Sequence, residues 1–227
     1  MKATTPAQPA PVDRPDGGDG TTSSTPTGSP RLWMAFAGYA AALVVSVFTG
    51  GLAASLTGDA DGVATMVAGQ IGFWAVLVAT VLHETPAQGW PAGDRLGLRF
   101  RWVDAPIGLV VGVATQLVVI PALYLPFRSL IDDDLSGPAR DLLGGASGLG
   151  LAVIGVSVVV VAPVVEELFF RGLLLGAMQH RSGTAAAVAA SSVVFGATHF
   201  QPLLLPALAT AGAVFAVSAV RTGRLGT

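Results

Sequence analysis

Ala162-Pro-Val-Val-Glu-Glu-Leu-Phe-Phe-Arg-Gly172 sets two adjacent carboxylates, Glu166 and Glu167, inside a long apolar run, with Arg171 four residues after the second. No charged residue stands between Asp141 and Glu166. An uncharged apolar run of that length reads as a membrane-spanning helix. Ionisable side chains at such depth are costly and mark a functional site by default. The stretch therefore decides both the fold class, a helical membrane protein, and the place where chemistry is to be sought.

Composition agrees with that reading. Of 227 residues, 52% are hydrophobic and 11% charged, against about 25% charged in soluble domains. The net charge of −2 argues against nucleic acid as a partner. The absence of cysteine excludes disulfides and thiolate metal sites. His83, His180 and His199 are the candidate nitrogen ligands.

Outward from the acid pair, six apolar stretches cover roughly residues 32–56, 63–82, 104–126, 149–179, 184–200 and 203–220. Most are near the ~20 residues that cross ~30 Å of hydrocarbon, and the fourth is long enough to run past it. Residues 1–30, rich in Pro, Gly, Ser, Thr and Asp, are expected to form a disordered cytoplasmic tail. Residues 31–148 would hold the N-terminal membrane helices and loops, and residues 149–227 a catalytic region. Basic and acidic connections alternate. Lys2, Arg14 and Arg31 precede the first span, and Asp59 and Asp61 follow it. Arg95, Arg99 and Arg101 follow the second, and Arg181 and Arg221 with Arg224 follow the fourth and sixth. That bias places the N-terminus in the cytoplasm of a multi-pass cell-membrane protein. Leu96-Gly-Leu-Arg-Phe-Arg101 reads as a segment at the membrane interface, and Asp132 to Asp134 as a solvated loop without the ligand spacing of a calcium site.

On a helix Glu167 and Arg171 share a face and can pair, whereas Glu166 points about 100° away. One carboxylate is then held by the guanidinium, and the other is free to face a cavity and act as a general base. Such a pair can equally serve only to hold helices together. Pro163 cannot donate to the carbonyl of Val159 and is expected to bend the helix. In the next stretch, Phe195-Gly-Ala-Thr-His199 puts a phenylalanine and a histidine on one face. A hairpin turning at Arg181-Ser-Gly183 would bring Glu166 and His199 to the same depth, ~21–23 Å from the turn. His83-Glu84 begins like a zinc-peptidase helix, but position 87 holds no histidine and Pro86 follows.

Glu166-Glu-Leu-Phe-Phe-Arg171 and Phe195-Gly-Ala-Thr-His199 resemble the EExxxR and FxxxH motifs of the CPBP intramembrane proteases, the family of the type II CAAX prenyl endopeptidases. The flanks around Pro163, Gly172 to Leu175 and Arg221 to Leu225 look similar too. The resemblance covers about residues 150–227. It implies an intramembrane endopeptidase, a hydrolase of a membrane-associated peptide or protein, with membrane lipid as its surroundings. Glu166 and His199 would activate water, and Glu167 and Arg171 would brace the site. Family members are described as metalloproteases or as glutamate-dependent enzymes. Zinc is therefore left open, with Glu166 and His199 as its ligands if it binds. The family also carries a later helix with a histidine and, four residues on, Asn or Asp. The sequence reaches Thr227 without it, which reads either as a fragment or as a protein lacking part of its site, and the expected fold is an all-α polytopic bundle of about six membrane helices in this chain, without that last one. Weak or absent proteolysis is expected of such a chain, because missing oxyanion donors cost roughly 10²–10³ in rate. Two further functions fit the same scaffold: a non-catalytic membrane protein of bacteriocin immunity or partner binding, and a small proton-coupled transporter.

Overall fold

The computed structural model describes residues 31–84, 101–127 and 146–225, with residues 137 and 140. The expected tail, Arg95, Arg99 and the run Asp132 to Asp134 lie outside these. The described residues form an all-helical bundle of six principal helices: α1 (Leu32–Thr57), α2 (Val63–Glu84), α3 (Asp104–Phe127), α4 (Leu149–Ser182), α5 (Thr184–Ala197) and α6 (Leu205–Thr222). All but α5 are long and apolar enough to cross a membrane. The 14 residues of α5 rise only about 21 Å. They end short of a full crossing, and the chain turns before α6. At 34 residues, α4 is longer than a bilayer requires, as its sequence indicated.

Two of the helices change register where prolines demand it. A proline ring clashes with the carbonyl four residues back and offers no N–H. In α3 that carbonyl is on Leu117, ahead of Pro121; in α4 it is on Val159, ahead of Pro163. Both carbonyls lie in π-helical turns, Thr115–Val119 and Ser157–Val161. The wider turn closes with Ile120 N–H donating to Thr115 O and Ala162 N–H donating to Ser157 O. The distortion expected at Pro163 thus takes the form of a π-bulge, a feature frequent at functional sites. A second π-helical stretch, Glu167–Leu175, follows almost at once.

Lipid is as apolar as leucine, so packing rather than burial holds membrane helices together. Small residues let α1 and α2 approach closely. A Cβ on Gly69 would stand 3.3 Å from Ser46 O, and one on Gly50 3.4 Å from Thr65 O. The core groups Ala42, Trp74 and Leu77 of the first two helices with Phe169, Phe170 and Leu174 of α4 and Phe195 of α5. Large apolar side chains such as Val47, Phe48, Leu109 and Leu117 face outward, as lipid contact requires.

Charges gather at one end of the bundle. Arg31 Nη2 donates to Glu84 Oε1 at 2.7 Å, joining the start of α1 to the end of α2. Asp104, at the start of α3, is fully buried and accepts from Arg224 Nε and Nη2 at 2.9 and 2.6 Å, and from the backbone N–H of Arg101 at 2.7 Å. At the far end of α3, Tyr124 donates to the carbonyl of Leu203 ahead of α6. Helices α1 and α2, and α3 and α6, are therefore antiparallel pairs.

Candidate active site

Glu166 and Glu167 stand on either side of a change in helical register. Glu166 closes the α-helical turn Ala162–Glu166, and Glu167 opens the π-helical stretch. Arg171 sits one turn on, almost wholly buried. Its Nη1 lies 3.3 Å from Glu167 Oε1, and its Nη2 donates to the carbonyl of Gly212 on α6 at 3.3 Å. The guanidinium carbon is 4.5 Å from the ring centre of Phe195, 5.5 Å from that of Phe215 and 6.0 Å from that of Phe170. Ring faces attract a cation strongly where water is excluded. The contact to Glu167 is an ion pair without hydrogen-bond alignment, since Nη1 makes no hydrogen bond among the described residues. Arg171 thus ties α4 to α5 and α6 as well as to its neighbouring glutamate.

Glycines make this clamp possible. A Cβ on Gly212 would meet Phe195 Cδ1 at 3.1 Å and Ser192 Cα at 3.2 Å. One on Gly196 would meet backbone of α6 at 3.0 Å, at Ala209 N and Leu205 O. The close approach of α5 and α6 lets the Gly212 carbonyl reach the guanidinium.

His199 follows the end of α5. Its Nδ1 is 2.8 Å from the carbonyl oxygen of Phe195. A carbonyl only accepts, so Nδ1 carries the proton and Nε2 keeps its lone pair in the neutral ring. The imidazole also packs edge-on against Phe195, with centroids 4.9 Å apart. Phe195 in turn meets Phe170 at 5.0 Å. Gly183, with φ of 76°, makes the turn between α4 and α5. That hairpin brings Glu166 within electrostatic range of His199, and Glu166 also feels the charge of Arg171. All four residues picked out from the sequence, Glu166, Glu167, Arg171 and His199, therefore lie in one neighbourhood.

The other two histidines are elsewhere. His83 Nδ1 is 3.2 Å from Glu84 Oε1, the oxygen that Arg31 also holds, so His83-Glu84 belongs to the α1–α2 junction. His180 is exposed in the last turn of α4.

Sequence reasoning missed Tyr39, on α1. Its hydroxyl donates to the carbonyl of Thr198 at 3.1 Å and lies close enough to Glu166 to feel its charge. A phenol in an apolar helix, 127 positions before the acid pair, carries no local signal of this partnership. Beside it runs an apolar groove of about 300 Å³ between α1, α4 and α5. Tyr39, Phe170, Thr198 and Phe200 line it, and Glu166 and His199 do not.

Zinc was left open by the sequence. Among the described residues no three His, Asp or Glu side chains converge. Glu166 and His199 supply two donors, and Glu167 is engaged by Arg171. A catalytic zinc takes three protein ligands, so the described donor set does not fit one.

Residues 148–227 match the family described as type II CAAX prenyl endopeptidase Rce1-like. The match spans α4, α5 and α6 and all four candidate residues. A Bacillus subtilis (strain 168) protein named "Putative membrane peptidase YdiL" is 26% identical over 164 residues, 68% of this chain and 64% of that protein. The chain thus spans under two thirds of the length of this curated relative. No solved structure matches the chain. The recognition made on the two motifs is borne out, and a membrane protease family is the class to which the similarity points.

Proposed function

We propose that the chain is an intramembrane endopeptidase in which Glu166 and His199 activate water. The observation that carries the reading is His199 held through Nδ1 to Phe195 O, which leaves Nε2 as a base, on a helix hairpin that sets Glu166 within electrostatic range of it. The similarity of residues 148–227 to a peptidase family supports it. Glu166 takes a proton from water as the oxygen attacks the scissile carbonyl. The same proton then passes to the departing amine nitrogen as the C–N bond breaks. His199 Nε2 accepts a hydrogen bond from the water and orients it. Arg171, paired with Glu167 and bonded to the Gly212 carbonyl, braces the helix that carries Glu166. In this reading Glu166 carries the proton and His199 orients the water.

The substrate is a membrane-associated peptide or protein. In the proposed orientation the start of α1 faces the cytoplasm, because Arg31, Arg101, Arg181, Arg221 and Arg224 border one set of helix ends while Asp59 and Asp61 join the opposite ends of α1 and α2.

The test is hydrolysis of a library of quenched fluorescent peptides by the full chain in liposomes. A positioned general base contributes about 10²–10⁴-fold, so Glu166→Gln and His199→Ala should each lose at least about 10²-fold. His83→Ala should cleave normally. Equal cleavage by all the variants would sink the proposal.

A further inference from the structure

We infer that Tyr39 is a positioning residue that holds the turn bearing His199 against α1. Helix α5 ends at Ala197, and the chain reaches α6 through a short connection. Within it His199 N–H donates to Gly196 O at 3.3 Å and Phe200 N–H donates to Ala197 O at 3.1 Å. Phe200 has φ of 55°, the one positive value outside glycine among the described residues. For a bulky side chain that conformation is strained, and it persists only where the surroundings over-determine it. The strained residue directly follows His199, so relaxing it would swing the imidazole.

Tyr39 supplies the external restraint. Its hydroxyl donates to Thr198 O, the carbonyl directly before His199, at 3.1 Å. The ring is itself fixed, with centroids 5.4 Å from Phe73, 5.9 Å from Phe169 and 6.3 Å from Phe170. These neighbours come from α2 and α4, so the hydroxyl is presented by three helices at once. Tyr39 and Phe200 also line the same groove. The phenol therefore registers the end of α5 against the helix that carries Glu166. Tyr39 lies outside residues 148–227, so the family similarity assigns it nothing.

The inference rests on the hydrolytic reading for its kinetic consequence, and on the geometry alone for the restraint. Tyr39→Phe keeps the ring contacts and removes only the donor. In lipid nanodiscs the variant should exchange backbone amides at residues 198–201 several-fold faster than the native chain by hydrogen–deuterium exchange, with α2 amides unchanged. With a cleaved reporter peptide, kcat should fall about 5–10-fold, the effect of one hydrogen bond, at constant KM. Unchanged exchange at the turn overturns the inference whatever the activity. Faster exchange with unchanged kcat overturns the link from the turn to His199. If the native chain cleaves no peptide, the hydrolytic reading fails, and amide exchange alone decides the restraint.

Discussion

Arg171 divides the two glutamates into roles. Its guanidinium is buried among three phenyl rings, with Glu167 as its carboxylate partner and Gly212 O as its acceptor. Removing one member of a buried ion pair leaves the other uncompensated and costs about 3–5 kcal/mol. Glu167 is partly exposed, so Glu167→Gln should cost less than that. Arg171→Met should cost more than Glu167→Gln, because it also removes the guanidinium's ring contacts and leaves the Gly212 carbonyl without its donor. Thermal unfolding in detergent checks that order. The i, i+4 spacing made the Glu167–Arg171 contact legible in the sequence. The Gly212 carbonyl and the Tyr39 hydroxyl were not legible, because each partner comes from another helix and the bond uses a backbone atom that every residue possesses. Glu84 shows the same limit. The sequence argued against a metal at His83-Glu84 but gave no sign of the glutamate's partner, Arg31, which stands 53 positions away.

At the scale of the element, α4 is where local sequence and site meet. Pro163 forces the π-turn Ser157–Val161, and that turn sets the rotation at which Glu166 leaves the helix. Pro163→Ala frees the helix to recover α-helical register. The expected result is a stabler helix, by up to about 3 kcal/mol, with peptide hydrolysis reduced at least tenfold. A thermal melt beside an activity assay reads both. The sequence signalled a break at Pro163. It did not signal a bulge, nor the second π-helical stretch after Glu166, since no residue type there is diagnostic of that register. Hydropathy likewise could not separate α5 from a full span. Residues 184–200 hold no Asp, Glu, Lys or Arg, and the helix stops at Ala197 because the turn to α6 takes the rest. In α5 itself, Gly196→Val should disrupt packing against α6, where backbone already stands 3.0 Å from the Cβ site. Gly155→Ala meets nothing within 4 Å and should be neutral or mildly stabilising, by up to about 1 kcal/mol.

For the whole molecule, the ion pairs at one end link helices that hydropathy treats as independent. Asp104 accepts three hydrogen bonds from Arg224 across 120 positions, joining α3 to the end of the peptidase-like region. Asp104→Asn should loosen α3 and lower the melting temperature. Double replacement with Asp104→Leu and Arg224→Leu should recover part of that loss, since replacing both members of an ion pair costs less than removing one. The all-helical bundle was legible from composition and from six apolar stretches, because a membrane permits helices and little else. How the six pack was not, because small residues are spread along every helix and no stripe singles out a partner.

The central claim is that Glu166 and His199 act as one hydrolytic site. A double-mutant cycle on peptide hydrolysis by the full chain in liposomes tests it most directly. Groups that act as a unit are grossly non-additive. The expected result is that Glu166→Gln with His199→Ala cleaves about as slowly as the slower single variant. Full additivity of the two losses, or native cleavage in either single variant, would contradict the account.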